Sequence, residues 1–342
     1  MKDSDLLILT GDDVSDLVKG KEDDIITVVQ RAYEAHTRGE SSLPFSTFLH
    51  FPDAPQNRII GLPAYLGGEF NVAGMKWVAS FPDNIKHGLE RASAAMIINS
   101  VTTGQPKAIL EGSIINAKRT AASAALAART LQSEEKAIFA GIVGCGLIHF
   151  ETIRFLVYTC PQITKFILFD VDRERMQLFR EKCVPLIGPR DIVFADDLQV
   201  LLRNANLISL ATTAARPYIM DLASYTEKAT ILHISLRDLA PEVILACDNV
   251  ADDIDHVLRE GTSVQLAEQK VGNREFLRCT LGDILIGRAF SRRDEKSTVI
   301  FNPFGLGILD VALASYIYQR ALEQGRGTRV ASFIPSPWYQ RS

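Results

Sequence analysis

The spacing of apolar side chains changes twice along the chain. Residues 22–38 place apolar side chains at helical spacing behind an acidic start, which predicts an amphipathic helix. Residues 45–111 contain short β-rich runs, including RIIGLPAYL, VAGMKWVASF and AAMIINS, with the turn TTGQP after the last of them. Ser113 then precedes the alanine-rich stretch IINAKRTAASAALAARTL, which predicts a second, longer helix.

From residue 136 onward, strand and helix patterns alternate. They are AIFAGIV, residues 147–159, KFILFD, ERMQLFREKC, DIVFA, DDLQVLLRNA, LISLATT and TILHISL. This alternation is typical of a parallel sheet with helices on both faces. Residues 308–324 predict a last apolar helix. We therefore predict an α/β protein in which residues 130–305 form a doubly wound parallel sheet, and residues 1–129 and 306–342 form an α+β domain.

Composition argues against several classes of protein. The 342 residues carry a net charge of 37 − 41 = −4, with no basic stripe of the kind that nucleic acid requires. The longest nearly unbroken apolar run, residues 138–150, is interrupted by glycines and is shorter than the roughly 20 residues of a membrane helix. The five cysteines are odd in number and scattered, which favours reduced thiols. We expect a cytoplasmic protein with no metal site, and neither nucleic acid nor a membrane as its partner.

A glycine-containing turn follows the first strand of the alternating region. Strand AIFAGIV runs into Gly144 and Gly146, and a helix then begins with Leu147 and Ile148. In the dinucleotide-binding fingerprint the first glycine allows a tight turn, the second lets the backbone approach the pyrophosphate, and the helix N-terminus offers N–H groups to the phosphates. His149 replaces the third glycine, which serves helix–strand packing, so we expect a slightly shifted helix. The alternative is a purely structural turn.

Asp170 ends the second strand of this region, KFILFD, and lies 26 residues after Gly144. A carboxylate at this position hydrogen-bonds the adenine-ribose hydroxyls and repels a 2′-phosphate, so we predict NAD rather than NADP as the cofactor of a Rossmann-type domain. Arg173 and Arg175 lie nearby and are more simply interpreted as solvated charges.

The segments GMKWVASFPDN, INAKRTAASAA, VGCGLI, SLATT and SLRD together resemble the ornithine cyclodeaminase/mu-crystallin family, and they span most of the chain. The resemblance implies a homodimer whose 1–129 and 306–342 domain binds the substrate and the partner subunit. It also places Thr212 and Thr213 beside the cofactor. Within the family, RIIGLPAY, ERASAAMIIN and NPFGLGILD are similar to the dehydrogenases of 2,3-diaminopropionate synthesis in siderophore pathways.

The resemblance also implies three residues for the chemistry. Lys76 and Arg119 match the family residues that hold the α-carboxylate of an amino-acid substrate, and Lys76 is a possible proton donor. Asp238 matches the catalytic aspartate, a general base whose pKa burial would raise toward neutrality. Taken alone, these positions also suit a lysine that reaches solvent, an exposed helix face and a helix cap.

Two departures from the family concern the substrate. Ser46 and Thr47 stand where many members carry a carboxylate-binding arginine, and Arg58 is a candidate to replace it. Arg91 stands where the cyclodeaminase has a small hydroxyl residue, so the pocket gains a cation. This cation favours a substrate with an additional carboxylate over ornithine.

The expected reaction is NAD-dependent oxidative hydrolysis of N-(2-amino-2-carboxyethyl)-L-glutamate to 2-oxoglutarate and L-2,3-diaminopropionate. The alternatives are an ornithine cyclodeaminase, an imine reductase or amino-acid dehydrogenase, and a non-catalytic NAD(P)H-dependent binder of a small ligand.

Overall fold

Two eight-stranded sheets organise the described part of the chain, one in each of two units. The computed structural model describes residues 4–132, 138–221 and 228–340. The first unit comprises residues 1–119 and 306–342, and the second comprises residues 120–305. The sequence placed the first of these boundaries at residue 129, and the observed break falls earlier, inside a helix.

The strands, in chain order, are β1 Leu6–Leu9, β2 Ser41–Ser42, β3 Thr47–His50, β4 Arg58–Leu66, β5 Val72–Ser80, β6 Ala92–Asn99, β7 Pro106–Glu111, β8 Ile138–Val143, β9 Ile163–Phe169, β10 Asp191–Phe194, β11 Leu207–Leu210, β12 Thr230–His233, β13 Asp248–Ala251, β14 Leu277–Thr280, β15 Val299–Asn302 and β16 Thr328–Val330. The α-helices are α1 Gly11–Val18, α2 Glu22–Thr37, α3 Ser113–Leu131, α4 Leu147–Thr159, α5 Arg173–Ile187, α6 Leu198–Asn204, α7 Pro241–Ala246, α8 Ile254–Val257, α9 Ser263–Val271, α10 Leu281–Leu285 and α11 Gly307–Gln324. Short 3₁₀ helices occupy Pro82–His87 and Trp338–Gln340.

The sheet of the first unit is mixed, with the order β16-β1-β7-β6-β5-β4-β2, and β3 pairs with β4 at its margin. Side chains alternate between the two faces of a strand, so even-numbered residues of β4 and β5 share one face. That face packs on α11: a Cβ on Gly74 would contact Val311, and a Cβ on Gly307 would contact Leu62. The predicted helices at 22–38 and 308–324 correspond to α2 and α11, which also pack on each other.

The sheet of the second unit has the order β10-β9-β8-β11-β12-β15-β13-β14, and all of its described strand pairs are parallel. Strand order reverses between β8 and β11, which is the switch point at which doubly wound sheets bind ligands. The predicted α/β fold with a doubly wound parallel sheet is confirmed.

Helix α3 begins in the first unit and continues into the second. Most of its alanines are fully buried, because small side chains let neighbouring elements approach closely. Several predicted strands differ from the observed ones by a few residues at their ends. LISLATT ends as a strand at Leu210, and Ala137, the predicted start of AIFAGIV, lies outside the described residues. No helix among the described residues is both long and apolar enough to span a membrane.

Candidate active site

At the turn between β8 and α4, the backbone of Gly144 lies close to the backbone that follows β11. Gly144 has a φ of +100°, and a Cβ there would lie 2.5 Å from the carbonyl oxygen of Ala211 at the end of the neighbouring strand β11. Its N–H donates to Phe169 O at 2.8 Å, which ties the turn to β9 on the other side. A side chain at position 144 would have to displace backbone, so this position requires glycine.

Gly146 has a different surrounding. A Cβ there would meet no atom within 4 Å, and no side chain caps the helix α4 that follows it. Open space beside a glycine, together with the N–H groups of Leu147 and Ile148 at the start of a 13-residue helix, suits a pyrophosphate. The turn therefore fits NAD at the positions that the sequence predicts.

His149 bridges the turn to the sheet, and the slight shift of the helix that the sequence suggests stays a prediction. It is fully buried; its Nδ1 contacts Gly144 O, and its Nε2 contacts Ser209 Oγ at 2.8 Å. A carbonyl only accepts, so Nδ1 carries the proton and the Ser209 hydroxyl donates to Nε2. Burial lowers the pKa of His149 to about 4, which keeps the ring neutral.

Asp170, the residue after β9, accepts a hydrogen bond from the turn between β8 and α4. Its Oδ2 accepts the N–H of Cys145 at 2.7 Å, and its Oδ1 accepts the N–H of Asp172 at 3.0 Å. Arg175 Nε donates to Cys145 O at 3.2 Å, so Arg175 is not merely a solvated charge as the sequence suggested. Each oxygen of Asp170 keeps a second acceptor site for a ribose hydroxyl.

Asp238 lies in the loop after β12 and is fully buried. The interpretation as a helix cap is wrong, because α7 begins at Pro241 with Ala240 as its N-cap. Oδ1 accepts hydrogen bonds from the hydroxyls of Thr212 and of Tyr218, the latter at 3.0 Å, and Oδ2 accepts one from the hydroxyl of Ser235.

The pKa of Asp238 is lowered to about 2, which corrects the expectation that burial would bring it toward neutrality. Burial does act to raise this pKa, but hydrogen bonds from His233, Ser235 and Thr212 outweigh it. The hydroxyl of Thr212 thus donates to the Asp238 carboxylate, and its oxygen also accepts the N–H of Ala214 at 3.1 Å. Thr213 is exposed beside it, and its predicted contact with the cofactor stays a prediction.

A cluster of buried charges lies in the first unit, where β5, α3 and the start of α11 meet. Lys76 Nζ is 2.7 Å from Asp310 Oδ2, and Arg119 Nε donates to Asp310 Oδ1 at 2.8 Å. Asn116 Oδ1 accepts from Lys76 at 2.9 Å and from Arg119 at 2.8 Å. Lys76 is 2% exposed and Arg119 7%, so the alternatives of a lysine in solvent and an exposed helix face are wrong.

Burial and the neighbouring Arg119 lower the pKa of Lys76 to about 8, although Asp310 acts to raise it. An ammonium with such a pKa can bind a carboxylate and also exchange a proton near neutral pH. Asp310 and Asn116 were missed by the sequence reasoning. The available signal was a lone carboxylate in the otherwise apolar start of α11, Gly307–Ala314.

Arg58 and Arg91 form a second group of cations in the first unit. The Nε atoms of both are buried, and neither has a hydrogen-bond partner among the described residues. Burial lowers the pKa of Arg91, and the charge of Arg58 lowers it further, so the two guanidinium groups repel each other. Strand register places Arg58 opposite Ser80, four residues along β5 from Lys76 and on the same face of the sheet.

These features define a Rossmann-type dinucleotide-binding protein: a parallel sheet with β8 near its centre, a glycine turn at the start of α4, and a carboxylate at the end of β9. The first unit, whose sheet is mixed, carries the buried cations. The family model of the ornithine cyclodeaminase/mu-crystallin family matches residues 6–325. The chain belongs to this family, as its sequence predicted.

Several relatives align over nearly the whole chain. N-((2S)-2-amino-2-carboxyethyl)-L-glutamate dehydrogenase of Staphylococcus aureus is 29% identical over 89% of this chain and 91% of its own. Δ(1)-pyrroline-2-carboxylate reductase of Thermococcus litoralis, solved with NADH and L-proline, is 25% identical with a TM-score of 0.87, over 95% of this chain and 100% of that one. An archaeal alanine dehydrogenase dimer with bound NAD is 26% identical with a TM-score of 0.85, over 95% and 99%.

Proposed function

We propose that the chain catalyses the NAD-dependent oxidative hydrolysis of N-(2-amino-2-carboxyethyl)-L-glutamate to 2-oxoglutarate and L-2,3-diaminopropionate. The observation that carries this proposal is the pair Arg58 and Arg91, whose buried Nε atoms lack partners among the described residues. Two adjacent guanidinium groups need an anionic ligand, and Arg is the side chain best suited to bind a carboxylate.

The class of enzyme is established: the chain is an NAD-dependent oxidoreductase that acts on a carbon–nitrogen centre, as predicted. The name of the Staphylococcus aureus relative agrees with the finer assignment. A place in siderophore or other secondary-metabolite synthesis is part of the same proposal.

The first unit is proposed to bind the substrate. Lys76 and Arg119 hold one α-carboxylate, with Asp310 and Asn116 fixing the positions of both cations. The four residues of β5 between Lys76 and Ser80, which lies opposite Arg58, span about 13 Å along the strand. The charged ends of the long Lys76 and Arg58 side chains can lie closer together than this. Arg58 and Arg91 then meet a further carboxylate of the same ligand. Ornithine offers only an ammonium at that end, which the two arginines would repel.

The second unit is proposed to bind NAD and to activate water. Gly144, Gly146 and Asp170 would hold NAD. Bound NAD would supply a hydride acceptor for the glutamyl α-carbon, whose oxidation would leave an iminium on the substrate. Asp238 removes a proton from the water that attacks this iminium carbon. Thr212, Tyr218 and Ser235 occupy three of the four acceptor sites on its carboxylate. Tyr218 is 39% exposed, so its hydroxyl is the donor that gives way to the water.

Incubation of the protein with NAD and N-(2-amino-2-carboxyethyl)-L-glutamate, which we call the adduct, tests the proposal directly. We expect stoichiometric NADH, measured by absorbance, with 2-oxoglutarate and 2,3-diaminopropionate identified by mass spectrometry. Arg91→Ala should lower kcat/KM for the adduct by roughly 30-fold or more, because losing one partner of a desolvated charge pair costs about 2–5 kcal/mol.

Arg38→Ala is the matched control, because Arg38 is an exposed arginine of the same unit. It should leave kcat/KM unchanged, and neither variant should alter the affinity for NAD. Conversion of ornithine to proline without net NADH would instead establish the cyclodeaminase. Consumption of NADH with an imine substrate would establish a reductase, and NAD(P)H-dependent binding of a small ligand without turnover would establish the non-catalytic binder.

A homodimer formed through the first unit is a further part of the proposal. The odd-numbered face of its sheet, opposite α11, exposes Trp77 by 43% and Tyr65 by 39%, and the Trp77 ring lies over Gly61. An exposed apolar sheet face marks an interaction surface, and the archaeal alanine dehydrogenase is described as a dimer. Light scattering should give twice the monomer mass for the wild type and a lower mass for Trp77→Glu; a monomeric wild type would contradict this.

A further inference from the structure

A chain of buried polar side chains lies behind Asp238 at the carboxyl edge of the second sheet. It consists of His233, the last residue of β12, Asn302, the last residue of β15, and Asn249 in β13, and we call it the polar chain. All three side chains are fully buried. They sit on adjacent strands, so one hydrogen-bonded row crosses the sheet and ends at Asp238.

The end of the polar chain at Asn249 determines which group donates in each of its hydrogen bonds. Asn249 Nδ2 donates to the carbonyl oxygens of Ile244 at 2.6 Å, Cys247 at 3.1 Å and Phe276 at 3.4 Å. Carbonyl oxygens only accept, so the amide nitrogen of Asn249 must face them and its Oδ1 must face Asn302.

The orientation of Asn249 also determines the orientation of Asn302 and, through it, which nitrogen of His233 carries a proton. Asn302 Nδ2 donates to Asn249 Oδ1 at 3.2 Å, which leaves Asn302 Oδ1 to accept from His233 Nδ1 at 3.0 Å. Three backbone carbonyls therefore require that His233 carry a proton on Nδ1. The only nitrogen of this ring that is free to gain or lose a proton is Nε2.

His233 Nε2 has a partner in each of its two states. Without a proton it accepts the backbone N–H of Asp238 at 3.2 Å. With a proton it faces Oδ2 of the same residue at 3.3 Å. This oxygen also accepts from Ser235, so the contact with Nε2 takes the fourth acceptor site of the carboxylate.

We infer that His233 acts through Asp238 as the store for the proton that Asp238 removes from water. This inference rests on the proposed function, in which Asp238 is the base. His233 is a positioning residue, because it touches the carboxylate and not the reacting atoms. Asp238 then transmits the proton and is a carboxylate again after each transfer.

The transfer balances without any added reactant. An O–H bond of water breaks as its proton moves to the carboxylate of Asp238, and the oxygen lone pair forms the new bond to the iminium carbon. The proton on Asp238 then moves to His233 Nε2, which gives an imidazolium beside a carboxylate. The C=N electron pair passes to nitrogen as water adds, which gives a carbinolamine. When the carbinolamine collapses, the stored proton returns by the same route to the amine nitrogen, and the C–N bond breaks with its electron pair on nitrogen. The hydroxyl then gives its proton to the carboxylate of Asp238 as the carbonyl forms, and Asp238 passes this proton to the amine, which leaves as an ammonium.

The electrostatics around the pair agree with this order of events. The titratable groups of the second unit that act on Asp238 include His233, the hydroxyl of Tyr218 and, more distantly, His149 on α4. His149 stays neutral because burial lowers its pKa to about 4. The pKa of Asp238 is lowered to about 2 although burial acts to raise it, and His233 makes the largest lowering contribution. Asp238 therefore readily releases the proton that it accepts from water.

The first test is the pH profile of kcat/KM with NAD saturating. His233→Gln removes the store, so turnover should fall by roughly 10²-fold and the acid limb of the profile should move to lower pH or vanish. Asn302→Asp keeps an acceptor for Nδ1 and adds a negative charge that favours the imidazolium, so the same limb should move to higher pH. Ser235→Ala is the matched control, because it removes a partner of the same oxygen without removing a proton store; its acid limb should persist. Identical acid limbs in the wild type and His233→Gln would overturn the inference.

The second test reads the imidazole directly and does not depend on the substrate. Nitrogen-15 chemical shifts of the NAD-saturated protein, with the His233 signals assigned among the six histidines by comparison with His233→Gln, report which ring nitrogen is protonated. We expect Nδ1 to stay protonated across the titration while Nε2 gains its proton, at higher pH in Asn302→Asp. A ring protonated on Nε2 with a bare Nδ1 would overturn the inference, even if the adduct is the substrate. If the adduct is not turned over, this titration still decides whether the store exists.

Discussion

The pairing of Lys76 with Asp310 predicts how catalysis depends on pH. Lys76 binds a carboxylate only as an ammonium, and its pKa is lowered to about 8. Since kcat/KM reports the ionisation of free enzyme, it should fall roughly tenfold per pH unit as the pH rises through about 8. The substrate affinity that depends on Lys76 is thus present below this pH and is lost above it.

Asp310→Asn should move that alkaline limb to lower pH. The distance from Lys76 Nζ to Asp310 Oδ2 is 2.7 Å, so with an effective dielectric constant of about 20 the lost attraction is about 6 kcal/mol, or roughly four pKa units. The amide keeps a dipole toward the ammonium, so we expect a smaller shift, of about two units. Lys76 would then be mostly neutral at pH 7.5, and KM should rise more than kcat falls.

The assay is initial-rate NADH formation between pH 6 and 10, with thermal unfolding measured in parallel. Removing one member of a buried ion pair costs about 3–5 kcal/mol, so a lower Tm is expected in Asp310→Asn. Asp5→Asn is the matched control, because Asp5 is 1% exposed and pairs with Arg329 in the same unit. It should lower the Tm without moving the limb. Lys76→Arg should abolish the limb, since arginine does not titrate in this range. A limb that stays in place in Asp310→Asn would refute the reasoning.

Three further predictions concern the second unit. Asp238→Asn should keep NAD affinity but lose roughly 10²–10⁴ in turnover, and near-normal turnover would show that Asp238 is not the base. Asp170→Ser should weaken NAD binding, measured by titration calorimetry, and reduce the preference of the protein for NAD over NADP. A wild type that prefers NADP would contradict our interpretation of this carboxylate. His149→Gly restores the usual third glycine but removes the bridge from Gly144 to Ser209, so NAD affinity should fall while kcat with saturating NAD is retained; unchanged affinity would reduce His149 to a packing residue.

Local features of the sequence predicted most of the fold. Helical spacing predicted α2, an alanine-rich stretch after Ser113 predicted α3, and an apolar run predicted α11. The alternation of strands and helices predicted the parallel sheet. These signals are readable because periodicity and turn chemistry act over a few neighbouring residues. The turn at Gly144 and Gly146 was predictable for the same reason, since strand, turn and helix are contiguous in the chain.

The electrostatics of the candidate site were not predictable in this way. The pKa of Asp238 depends on hydrogen bonds from His233, Ser235 and Thr212, which come together only through folding. Asp310 reaches Lys76 across 234 positions of chain (310 − 76), and nothing in its local sequence reveals the pairing. A single sequence predicts which residues carry charge, but which charges meet depends on strand register and helix packing.

The two glycines of the nucleotide turn offer separate control over folding and cofactor binding. At position 144 any side chain would strike the backbone at Ala211, so substitution there would harm the second unit as a whole. At position 146 the backbone φ is −114°, which any residue adopts, and the space beside it is open. A bulky residue introduced there would occupy the place of the pyrophosphate and leave the protein folded. Gly146→Leu is therefore a natural choice for a form of this enzyme without its cofactor, in which any role of the protein that does not require NAD can be studied on its own.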